Sequence, residues 1–70
     1  SNKLPHETLS DREFQVLRLI AAGKPVKGIA EELALSVKTV STYRARLLEK
    51  MNLGTNAELI HYAIQNHLID

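Results

Sequence analysis

The sequence predicts an all-α, compact four-helix domain that contains a helix-turn-helix. Three observations predict it. Apolar residues recur at helical rather than strand spacing. Two helix-start signatures, Ser10-Asp11-Arg12-Glu13 and Thr55-Asn56-Ala57-Glu58, have the spacing of a capping box. The aliphatic residues Leu, Ile, Val and Ala are plentiful and aromatics scarce, which suits short helices packed closely. With 70 residues the chain is one domain at most, near the lower limit for folding without staples. It has no cysteine, so the core comes from aliphatic packing alone.

The elements read in order as follows. Ser1-Asn2 reads as a cloning remnant, and residues 1–8 as a lead-in or linker, since Leu4-Pro5-His6-Glu7-Thr8 has no period. The domain proper is read as residues 9–70. Helix one covers about 11–22. Ser10 caps it, Leu9 and Phe14 occupy staple positions, and Phe14, Val16, Leu17, Ile20 and Ala21 carry the period. Gly23 stops it. Pro25 introduces helix two, about 26–33, with Val26, Ile29, Ala30 and Leu33 on its apolar side. Gly28 weakens that helix or permits close packing.

Ala34-Leu35 makes a tight connection, and Ser36 caps helix three, about 37–51. Val37, Val40, Leu47, Leu48 and Met51, with Tyr43, are assigned to its core side. Gly54 ends the region. Helix four covers about 56–66. Leu59, Ile60, Tyr62, Ala63 and Ile64 surround much of its circumference, more than one core stripe needs. The excess implies a second buried face, within the molecule or against a partner. Leu68-Ile69 is expected to fold back as a tail.

Charge is distributed unevenly. Residues 1–35 carry five basic and five acidic groups. Residues 36–52 carry Lys38, Arg44, Arg46 and Lys50 against Glu49 alone, and residues 53–70 carry Glu58 and Asp70. The net of +3 on the third helix is the footprint expected of phosphate contact, with a solvated helix face as the alternative.

Two short helices joined by a three-residue turn are the skeleton of a helix-turn-helix. Ala30 is small where two steeply crossing helices must touch. At this point the motifs can be set side by side: Leu9-Ser10-x-Arg12-Glu13, Gly23, Ile29-Ala30-x-x-Leu33, Ser36-x-Lys38-Thr39-Val40, Leu47-x-x-Lys50-Met51 and Ala57-Glu58. In that order and spacing they resemble the LuxR/NarL/FixJ-type (GerE-like) helix-turn-helix over residues 9–69. Three positions depart from the usual pattern: Tyr43 where histidine is common, Met51 where leucine is common, and His67 where glycine is frequent. The resemblance implies a four-helix DNA-binding domain of a bacterial transcription regulator, usually C-terminal and often following a phosphoacceptor receiver domain. It implies a fourth helix that often mediates dimerisation.

The expected function is therefore sequence-specific binding of double-stranded DNA in transcription regulation, as the output domain of a two-component response regulator, with helix three in the major groove. Lys38, Ser41, Thr42 and Ala45 share a stripe away from the core and are the expected base contacts. Lys38 can donate to guanine; Ser41 and Thr42 can bond a base edge or touch a thymine methyl; Ala45 allows close approach or is a neutral helix former. Thr39, Tyr43, Arg44, Arg46 and Lys50 are the expected phosphate contacts. The resemblance supports Thr39 and Lys50 most. For Arg44 and Arg46 the alternative is a solvated charge or a pair with Glu49. Lys24 and Lys27 read as surface residues. Leu59, Tyr62 and Ala63 are the expected homodimer contacts on helix four.

Other classes fit poorly. His6, His61 and His67 do not form a compact metal set, Glu31-Glu32 point different ways on a helix, and no glycine-rich phosphate loop occurs. No enzyme activity, metal or cofactor is expected. No stretch approaches the ~20 apolar residues that cross a membrane. The expected location is the cytoplasm, and RNA polymerase is a possible further partner. The alternative function is a helical protein-interaction module that has lost DNA binding. RNA binding ranks third, because no aromatic stacking platform is present.

Overall fold

Each helix starts and stops where local chemistry dictates. In the computed structural model, which describes residues 3–69, α1 spans Asp11–Ala21, α2 Val26–Leu33, α3 Val37–Met51 and α4 Asn56–Gln65. Ser1-Asn2, read as a cloning remnant, and Asp70 lie outside the described residues. Both capping boxes form. The Ser10 hydroxyl accepts from the Glu13 N–H and the Thr55 hydroxyl from the Glu58 N–H, while each glutamate accepts from its capping residue's N–H. Ser36 accepts from the Thr39 N–H at 3.0 Å and starts α3.

All four α-helices end in the same double hydrogen bond. The N–H groups of Gly23, Ala34, Asn52 and His67 bond the carbonyl three residues back. Those of Lys24, Leu35, Leu53 and Leu68 bond the carbonyl five back. This is the Schellman closure, and it needs a left-handed residue at its hinge. The hinge φ values are 93° at Gly23, 56° at Ala34, 57° at Asn52 and 56° at His67. After α2, α3 and α4 the following residue is a leucine, and Leu35, Leu53 and Leu68 all pack against the core. The closure therefore turns the chain and seals the helix end together.

Left-handed backbone suits glycine or asparagine and is costly for histidine. Conversely, Gly28 sits inside α2, where a Cβ would meet only the Pro25 ring at 3.6 Å, an ordinary contact. Close packing is thus not the reason for this glycine. Gly28→Ala and His67→Gly are each expected to stabilise the domain by about 1 kcal/mol. Each raises Tm by roughly 4–8 °C in a thermal unfolding experiment, a shift typical of a domain this small. A fall in Tm for either variant contradicts the assignment.

α1 packs chiefly on α3 and also on α4 and α2, while α2 packs on α3. Val16, Leu17 and Ile20 of α1 meet Ile29 and Ala30 of α2, Val40, Leu47, Leu48 and Met51 of α3, and Leu59 of α4 in one buried cluster. Ala30 is buried, as expected of a small residue where α2 meets α3.

Three expectations are corrected. Val37 does not join the core; it is the first residue of α3 and 50% exposed, outside the cover that fully buries Val40 three residues on. Residues 5–8 are not an unstructured lead-in. They form a turn of 3-10 helix, held by Glu7 on the Leu4 N–H and by the Thr8 hydroxyl on the Pro5 carbonyl. His6 of that turn bonds the Tyr62 hydroxyl on α4 through its backbone N–H at 3.2 Å and its ring Nδ1 at 2.7 Å. Finally, Leu59 and Ala63 have no exposed surface at all. They face the core, so they cannot be dimer contacts, and the excess apolar surface of α4 is largely consumed within the monomer. Tyr62 is half-buried against the core and engaged by His6. The tail does fold back: Leu68 packs on the core and its carbonyl accepts from Arg18 Nε at 3.2 Å.

Candidate nucleic-acid interface

α2, the turn Ala34-Leu35-Ser36 and α3 form the helix-turn-helix. Two things fix its angle. Ala30 admits close approach of the helices, and the left-handed Ala34 reverses the chain in one residue. α3 then buries Val40, Leu47, Leu48 and Met51, which leaves the opposite side free. Lys38, Ser41, Thr42 and Ala45 are all exposed on that side, as the helical spacing requires. Neither Lys38 nor Arg46 takes part in an ion pair among the described residues. The only acid on α3 is Glu49, near its C-terminal end.

The polar groups of the first turns are pre-ordered. The Ser36 hydroxyl donates to Thr39 Oγ1 at 2.8 Å, and Thr39 is half-buried. The Thr42 hydroxyl donates to the Lys38 carbonyl at 3.0 Å. Arg44 is half-buried, and its Nε donates to Asn56 Oδ1 at 2.8 Å, not to Glu49. Asn56, at the start of α4, was not singled out from sequence; the contact spans twelve residues and leaves no local signature. Tyr43 is half-buried and packs against the core. Arg46 is exposed.

Lys50 lies in a different environment from the other cations. Its ammonium donates to Glu13 Oε1 at 2.7 Å, and Glu13 is almost fully buried. The same oxygen accepts from the Ser10 N–H at 2.8 Å. The Lys50 hydrogen bond, then the Ser10 N–H, hold the Glu13 carboxyl below its ordinary value of 4.5 against the opposing effect of burial. Glu13 is thus more than a capping residue. It ties the start of α1 to the end of α3. Lys50 remains 44% exposed, and an ammonium has three protons. Lys24 pairs with Glu32, which joins the turn after α1 to α2.

α3 thus presents an exposed polar face with its single acid, Glu49, near the C-terminal end. A family model described as GerE, bacterial regulatory proteins of the luxR family, matches residues 7–63. The chain belongs to the luxR family of bacterial regulatory proteins. Membership in a family of regulators bears out the non-enzymatic reading. This luxR-family domain is 44% identical over 69 residues to the transcriptional regulatory protein LiaR of Bacillus subtilis (strain 168), covering 99% of this chain and 33% of that protein. It is 44% identical over 66 residues to the oxygen regulatory protein NreC of Staphylococcus carnosus (strain TM300), covering 94% and 30%. It is also 44% identical over 64 residues to the response regulator UvrY of Escherichia coli (strain K12), covering 91% and 29%. The chain spans about a third of the length of these relatives. Among the described residues no helix is long and apolar enough to cross a membrane.

Proposed function

We propose that this domain binds double-stranded DNA sequence-specifically, as the cytoplasmic output domain of a longer response regulator, with α3 in the major groove. The observation that carries the reading is the exposed face of α3. Lys38, Ser41, Thr42 and Ala45 stand there in helical register, ahead of the helix's single acid. Family membership and the response-regulator relative support it. Lys38, Ser41, Thr42 and Ala45 meet base edges. Thr39, Tyr43, Arg44, Arg46 and Lys50 line the phosphates, where they position the helix without reading sequence. Asn56 steadies Arg44 for that role. A lost-function interaction module gains no support, since no acid interrupts the stripe before Glu49.

Pairing of two copies through α4 is retained as part of the proposal, but on different residues. Ala57, His61 and Ile64 recur on one side of α4, all exposed, with Ile64 at 57%. A two-fold contact there buries the same stripe on both copies. RNA polymerase is the second partner of the proposal, with no surface assigned to it.

The test is Lys38→Ala on two duplexes, the site enriched by selection from random DNA and an unrelated sequence. Loss of a good base contact costs about 1–3 kcal/mol of discrimination between them. Equal weakening on both moves Lys38 to the backbone. Failure of the wild-type domain to enrich any site sinks the proposal.

A further inference from the structure

The exposed face of α3 is richer in methyl groups than its sequence suggests. Val37 is half-exposed at the first position of the helix, next to Lys38. It has no hydrogen-bond donor and no charge, so a phosphate gains nothing from it. Val37, Ser41 and Ala45 follow at four-residue intervals and run along one line of the helix. Thr42 lies on the adjoining line, four residues after Lys38. Its hydroxyl proton is committed to the Lys38 carbonyl at 3.0 Å. Thr42 therefore cannot donate to a base without breaking that bond, which leaves its methyl and the acceptor side of its oxygen for a partner; to the donor-free face of thymine only the methyl is of use. Ala45 is a third methyl-bearing residue on this face. The N-terminal residues of a recognition helix are the ones that reach base edges. In the major groove the apolar feature of a base pair is the 5-methyl group of thymine.

We infer that α3 reads thymine by its 5-methyl groups, with Val37 and Thr42 as apolar contacts on either side of the polar Ser41, and Lys38 supplying the donor. The inference rests on the DNA-binding reading above and adds what the face selects. Val37 was assigned to the core from periodicity. Its role follows from where the covering helices stop.

Uracil differs from thymine by that methyl alone, so it isolates the contact. The probe is the duplex enriched by selection from random DNA, with each thymine replaced in turn by uracil. Wild-type protein is expected to bind about fourfold more weakly at the contacted thymines, the loss expected for one buried methyl group. Thr42→Ser, which keeps the hydroxyl and removes the methyl, abolishes the thymine preference at one position. Thr42→Val, which does the reverse, retains it. Val37→Ala abolishes the preference at a different position. The scan with wild-type protein needs no variant to fold. Equal binding to every uracil duplex, a selected site without thymine, or a Thr42→Ser protein that keeps the full preference overturns the inference while leaving DNA binding intact. If no site is enriched, the underlying reading falls and takes the inference with it.

Discussion

Ala63→Glu is expected to unfold the domain, not to separate two copies of it. Ala63 is fully buried on the side of α4 that faces the core, one turn from the equally buried Leu59. A glutamate there puts four extra heavy atoms beyond Cβ, three of them an unpaired carboxylate, into close-packed space. An uncompensated buried charge alone costs about 3–5 kcal/mol where a partner is lacking. Overpacking adds about 1–3 kcal/mol. A domain of this size has roughly 3–10 kcal/mol of total stability, so little or none remains. Circular dichroism at neutral pH is expected to show loss of most helical signal or a large drop in Tm. Ile64→Glu, one residue along on the exposed side, is expected to leave both unchanged. A folded Ala63→Glu protein with wild-type Tm contradicts the packing of α4 described above.

The second large effect concerns Lys50 and Glu13, 37 residues apart in the chain. Lys50→Ala leaves the buried Glu13 carboxylate with Ser10 as its remaining partner, a loss of about 2 kcal/mol measured by urea unfolding at pH 7. The pH dependence follows from the direction of the Glu13 shift. Its folded pKa lies below 4.5, so the stabilisation is fully present above that value. It is lost as pH falls from there through the lower folded pKa. Glu13→Gln can still accept from Ser10 and Lys50 but has no proton to bind in this range. Its stability is expected to change less between pH 6 and pH 3, roughly, than that of the wild type. Parallel curves for the two proteins remove Glu13 from the acid-sensitive groups. If Lys50 also touches a phosphate with a free proton, Lys50→Ala lowers the slope of log K against log salt by about 0.9. An unchanged slope in a folded variant assigns Lys50 to the fold alone.

Much of this molecule is written locally. The two capping boxes, Ser36, and the left-handed stops at Gly23 and Asn52 lie within a few residues of the groups they satisfy, and all four α-helices fall within one residue of their expected ends. The exposed stripe of α3 was legible for the same reason. Helical spacing fixes which side chains share a face once the buried ones are known. The stop at His67 was harder to read, because a left-handed histidine gives no signal of its own.

What the sequence could not decide is which apolar residues find a cover. Periodicity assigned Val37 inward and offered Leu59 and Ala63 to a partner, yet the outcome is the reverse at all three. Burial depends on where neighbouring helices begin and end, and that is a property of the assembled domain. The same holds for contacts between distant parts of the chain. The sequence and the resemblance offered Lys50 and Arg44 to phosphates, with Glu49 as the alternative partner of Arg44, and read residues 5–8 as a lead-in; none of these readings named a partner across the fold. Only folding brings Lys50 to Glu13, Arg44 to Asn56 and His6 to Tyr62. A hydrogen bond across the fold has no local spacing rule to announce it, whereas a helix cap closes within three residues and can be read from the sequence itself.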